Sequence, residues 1–167
     1  MEQVLDKIKA EIELMRYAPS GDGGIADIIS TNAETKWGDP GWVLFDEYPF
    51  IIVEPVRDAP KDETIGRSGF DVRLLTVQVS ILVLAADYFD ATVSESPGDR
   101  VLVRSAMKAQ RWLRRLGNRK LDDLEGVRTV VVSDTNYVPQ ERGITPEGFV
   151  KSALITLVVE RKYQHEP

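Results

Sequence analysis

The residues best placed to do chemistry are cations. Residues 99–120 hold eight Lys or Arg and a single acid. Within that stretch Arg104, Lys108, Arg111 and Arg115 step by 4, 3 and 4, so a helix would carry them as one stripe. Arg100, Arg114, Arg119 and Lys120 lie beside it. Such a stripe can neutralise phosphates, with salt-sensitive binding. It can face acidic residues on a neighbouring subunit. It can also be the solvated side of an amphipathic helix. The rest of the chain holds thirteen basic and twenty-six acidic residues. An acidic body with one basic segment repels DNA overall and leaves the basic segment as the exception.

Other constellations offer less. His165 is the single histidine and sits near the end of the sequence, where it reads as a solvated residue. Gly21-Asp22-Gly23-Gly24 could present amides to an anion if a helix began at Ile25. No Lys or Arg neighbours it in sequence, so it reads as a flexible connector. Asp87, Asp90, Glu95 and Asp99 match no calcium-loop spacing and read as a solvated loop, as do Asp122, Asp123 and Glu125. Ser94 and Ser96 have neither a nucleophile elbow nor a histidine partner. There is no phosphate-binding G-x-x-x-x-G-K-[ST] loop and no G-x-G-x-x-G after a strand. Cysteine is absent, which excludes disulfides, thiolate metal ligands and cysteine nucleophiles. A carboxylate pair could still do acid–base work, but no spacing here places two in one pocket. The expectation is therefore a protein that is not an enzyme, with no metal and no cofactor.

Trp37 and Trp42 flank a turn. They read either as an exposed anchor, since tryptophan dominates many interfaces, or as residues buried under that turn. With Arg104, Lys108, Arg111 and Arg115 they make up the candidate subunit or partner interface.

The elements that must position these residues follow from periodicity. In 2–16, Val4, Leu5, Ile8, Ile12 and Met15 fall at helical spacing. A Pro/Gly-rich connector, 19–24, follows, and 25–32 has the character of one or two helical turns. Residues 36–42 form a turn. Strands are expected at 43–45 and 50–56, and the prolines at 49 and 55 mark an edge strand. Residues 58–68 and 87–97 read as acidic loops. In 70–84, Leu75, Val77, Val79, Ile81 and Val83 alternate with polar residues, the period of a strand with one buried face. Residues 99–116 form a helix with Asp99 as N-cap and Gly117 or Asn118 as the stop. Its buried stripe is Leu102, Ala106, Ala109, Leu113 and Leu116, with Trp112 at the margin. A short strand is expected at 127–133, a loop at 134–148, and a long strand at 149–163.

The fold class is α+β: a mostly antiparallel sheet with long strands packed against helices on one face. A length of 167 residues implies a single domain, 1–167, with a short flexible tail at about 164–167. The first residues lack an apolar signal region, and the longest apolar run, 81–86, is far short of the ~20 residues that span a bilayer. The reading is a soluble, cytoplasmic protein. A fifteen-residue strand extends about 50 Å, against a globule of roughly 40 Å. Leu154 and Val158 also put apolar groups on the face opposite Ile155, Leu157 and Val159. Both features favour an oligomer.

This order of elements resembles the tail terminator, or tail-completion, proteins of tailed bacteriophages, the family typified by the lambda minor tail protein U. The likeness runs from about Glu2 to Tyr163 and is one of element order and character, with no shared motif. It implies a structural virion protein that forms a homo-oligomeric, hexameric ring. Such a ring caps the tail tube, stops its polymerisation and joins it to the head-side connector protein. DNA passes through without specific binding, there is no membrane partner, and the location is the virion tail or neck after assembly in the host cytoplasm. The loops 58–68 and 87–97 would be docking elements. The alternatives are another head–tail neck or baseplate component, a small-ligand-binding α+β domain, or a nucleic-acid binder using the basic helix.

Overall fold

A computed structural model describes residues 2–26, 35–37, 50–61, 70–84, 97–118, 120–142 and 149–164. Helix α1 (Glu2–Tyr17) comes first, followed by a 3-10 turn at Ser20–Asp22 and the short strand β1 (Thr35–Trp37). Strands β2 (Phe50–Pro60) and β3 (Phe70–Leu84) precede helix α2 (Pro97–Asn118). A helical turn at Lys120–Asp123 leads into β4 (Val127–Arg142) and β5 (Phe149–Gln164). The strands form one sheet in the order β1-β2-β3-β5-β4. All neighbours are antiparallel except β1, which lies parallel to β2 over three residues.

The alternation in β3 works as its period requires. Leu75, Val77, Val79 and Ile81 face the core together with Ile51 and Val53 of β2 and Ala153, Ile155, Leu157 and Val159 of β5. Two helices cover this face. From α1 come Val4, Leu5, Ile8, Ile12 and Met15, and from α2 come Leu102, Ala106, Ala109, Leu113 and Leu116, all buried in one cluster. Alanine at 106 and 109 lets α2 lie close to the sheet. At the end of α2, Gly117 serves the same purpose, because a Cβ there would meet the Val130 carbonyl oxygen at 2.9 Å. The helix ends at Asn118, the second of the two expected stops, and Gly117 allows close packing on β4.

Several boundaries differ from expectation. Helix α2 begins at Pro97, which makes Asp99 its third residue and not its N-cap. Proline suits the first helical turn, where its missing amide has no partner to lose. Strand β2 continues through Asp58, Ala59 and Pro60 instead of stopping at Val56. A bulge between Pro55 and Arg57 absorbs the proline. Among the described residues β1 pairs with Ile51–Val53 alone, so Pro55 lies beyond that pairing, at an edge position, as suits a residue without an amide hydrogen. Strand β4 extends to Arg142 where a loop from 134 was expected. Ile25 and Ala26 are not helical. Thr35, Lys36 and Trp37 form a strand rather than the start of a turn. The expected strand at 43–45, and the loops at 62–68 and 87–96, lie outside the described residues.

The turn Lys120–Asp123 is left-handed, with φ of 47°, 56° and 54° at Lys120, Leu121 and Asp122. Non-glycine residues pay roughly 1–2 kcal/mol each for this conformation. Two things offset the cost: Leu121 is fully buried in the core, and Asp122 Oδ2 lies 2.6 Å from Lys7 Nζ. Gly126 then turns the chain into β4 with φ of +80°.

Candidate functional site

Helix α2 divides its residues between two jobs. The stripe from Leu102 to Leu116 is buried, and the cations lie away from it. Arg104, Arg111 and Arg115 are exposed and Lys108 is half-buried. Arg104, Arg111 and Arg115 form no ion pair among the described residues. Between them the helix shows two large apolar side chains to solvent, Val103 at 40% and Met107 at 47% exposure. They are four residues apart and so adjacent on the helix surface. Together they make a small apolar spot amid the cations.

Trp112 sits at the core margin as expected, packed against the buried cluster. Its indole Nε1 donates to Glu11 Oε2 at 3.1 Å. Glu11 is buried and its other oxygen lies 3.9 Å from Lys7 Nζ. Trp112, Glu11, Lys7 and Asp122 thus tie α2, α1 and the left-handed turn together. Asp122 is therefore an ion-pair partner rather than a free loop acid. Trp37 lies in β1, in register with Val53, while Trp42 is outside the described residues. His165, Asp87, Asp90 and Glu95 are likewise outside the described residues.

The connector after α1 requires a correction. It lacks cations in sequence, but the fold supplies them from α2. Gly21 and Gly23 form one wall of a cavity of about 140 Å³ whose other wall is Lys108, Arg111, Trp112 and Arg115. Gly23 has φ of +91°, and a Cβ on it would lie 3.0 Å from Arg115 Nη1. Glycine is needed here twice, for its backbone conformation and for the approach of the guanidinium. Gly24 is held just as closely, since its Cβ would overlap the Ala18 carbonyl oxygen. Chain proximity could not show this pairing, because Gly23 and Lys108 stand 85 positions apart. The clue in the sequence was the unbroken spacing of Lys108, Arg111 and Arg115 together with a glycine-rich turn at the end of α1.

A second depression lies on the sheet face away from the helices. It has a volume of about 530 Å³ and is lined by Arg57, Ala59, Lys61, Leu74, Thr76 and Val158. Lys61 Nζ is committed to Glu160 Oε2 at 3.1 Å, and Arg128 Nη1 reaches the other oxygen of Glu160 at 3.5 Å. On the same face Ile52 and Ser80 are buried, while Leu154 and Val158 are half-buried.

Among the described residues no helix is long and apolar enough to cross a membrane. Compared with known proteins, the chain matches no protein-family model and no curated sequence.

Proposed function

We propose that this chain is a structural assembly subunit of the tail-terminator kind, forming a homo-oligomeric ring. In the fuller form of this reading the ring is a hexamer that caps a phage tail tube and joins it to the head-side connector. The observation that carries the assembly reading is the outer face of α2. Val103 and Met107 stand exposed among Arg100, Arg104 and Arg111. Methionine and arginine are enriched where proteins meet, and an acidic body elsewhere on the chain offers a second copy the complementary charge. The long strands support the same reading. β3 and β5 span about 50 Å at ~3.3 Å per residue, whereas α2 covers about 33 Å at 1.5 Å per residue. Strands of this length are longer than either helix that packs on them. The assignment to a tail rests on element order alone.

The test is solution mass by light scattering, with negative-stain imaging of the same peak. A ring-sized species is expected, and it should be lost in Arg104→Glu/Arg111→Glu. A monomer that stays monomeric at high concentration and on added tube protein overturns the reading. The depression of about 530 Å³ favours a second reading, a small-ligand-binding domain, since its volume is in the range of ligand sites. A ligand that protects Leu74 and Val158 in a monomeric chain would establish that alternative.

A further inference from the structure

We infer that the cavity between α2 and the turn after α1 is a binding site for a tetrahedral oxyanion, a phosphate group. Arg111 belongs to both this site and the assembly face, but the inference does not rest on the assembly reading and is tested by ligand binding rather than by oligomeric state.

Three cationic side chains converge on one small space. Lys108, Arg111 and Arg115 line it from α2, at spacings that place them on one side of the helix. Trp112 lies among them, fixed by its hydrogen bond to Glu11. The opposite wall is backbone at Gly21 and Gly23, where the lack of a side chain leaves room for an occupant and for the Arg115 guanidinium. The volume of about 140 Å³ is that of roughly four or five waters at ~30 Å³ each. That accommodates a phosphate and a water, and excludes a nucleoside.

Among the described residues the charged side chains that line the cavity are all cations. Arg111 and Arg115 have no ion pair among the described residues. Asp22, between the two glycines, is exposed and also forms none among them. Glu11 points its carboxylate to Trp112 and Lys7 instead. The C-terminal half of α2 contributes about half a negative charge at the helix end, which the two guanidinium charges of Arg111 and Arg115 outweigh. Arginine forks pair two oxygens of one anion at a time. Two forks, from Arg111 and Arg115, suit the several oxygens of a phosphate better than the two of a carboxylate. The phosphate can arrive free or as a monoester whose organic part stays outside the cavity.

The experiment is calorimetric titration of the full chain with inorganic phosphate. Saturable binding is expected. Arg111→Ala/Arg115→Ala, checked for native circular dichroism, should weaken it at least about tenfold. Arg104→Ala, on the same stripe but outside the cavity, should leave it within about twofold. In wild-type protein labelled for NMR, phosphate should shift the Gly21 and Gly23 amides and the Trp112 indole, a readout that survives if the double variant fails to fold. Glycerol phosphate binding as tightly as inorganic phosphate points to a monoester, and much weaker binding points to the free ion. Four results overturn the site: no saturable binding, undiminished binding by a folded double variant, an equal loss in Arg104→Ala, or an equal response to acetate.

Discussion

β3 and β4 flank β5 and are almost the same length, but they are held in different ways. β3 pairs with β5 through fifteen consecutive partners without a shift of register. β4 shifts against the same strand at three places, after Val127, Val132 and Val138. One face of β3 is buried from Leu75 to Ile81, while β4 exposes Val131 and Tyr137. A one-residue slip in β3 would turn its whole apolar set to the wrong face, so burial pins its register. β4 has a smaller penalty, since among its described residues only Val127 is buried in the core and Val130 and Val132 pack against it half-buried. Its register is set by β5 and by local devices: the glycine turn at its start, the bulges, and side-chain hydrogen bonds around Asp134. Bulges also discourage an open edge from pairing with the wrong chain.

The sharpest way to break this contrast is in the shared strand. Leu157 is fully buried and lies between Val77 of β3 and Val132 of β4. Leu157→Ala should cost about 2–5 kcal/mol, read as a shift in the denaturation midpoint. Val131→Ala, on the exposed face of β4, should stay within about 0.5 kcal/mol. Next is Gly126→Ala. A Cβ there would overlap the Lys162 carbonyl oxygen, and the backbone sits at φ of +80°. A loss of about 2–4 kcal/mol is expected. Hydrogen exchange should report it in β4 before β3, and equal loosening of both strands would show that the edge strand is not separately anchored.

The smallest effect concerns acid. The Asp134 carboxylate accepts hydrogen bonds from Thr156, Ser133 and Asn136, which hold its pKa below the ordinary value. A depressed folded pKa adds stability that is fully present above the unfolded value. It is lost as pH falls through the ordinary carboxylate range and below it. Asp134→Asn should therefore flatten the acid limb of a urea-midpoint profile taken from about pH 6 to about pH 3. A profile that keeps its slope would remove Asp134 from the set of devices that hold β4.

The same contrast explains what the residues disclose. The bounds of β3 are readable because its alternation is complete, and the stripe of α2 because Leu102 to Leu116 keeps helical spacing throughout. β4 is readable only to Ser133. Beyond it Asp134, Asn136 and Gln140 have the composition of a loop, and they are strand because β5 offers a partner. Helix α2 starts early because Pro97 is a helix breaker only in a helix interior. In the candidate site, the cations are legible and the glycine wall is not. Gly21 and Gly23 look like a connector until the fold lays α2 against them.

β5 lies between β3 and β4 in the sheet but follows both along the chain. During synthesis β2 and β3 can pair as soon as they emerge, and β4 cannot. It must wait, unpaired on both sides, until β5 is made. The last pieces also reach back furthest: Arg161 Nη2 donates to Gln3 Oε1 at 2.6 Å across 158 residues. Closure over such separations makes folding slow, and the waiting chain is the one most open to aggregation. The polar residues and bulges of β4 thus protect the nascent chain as well as the finished edge.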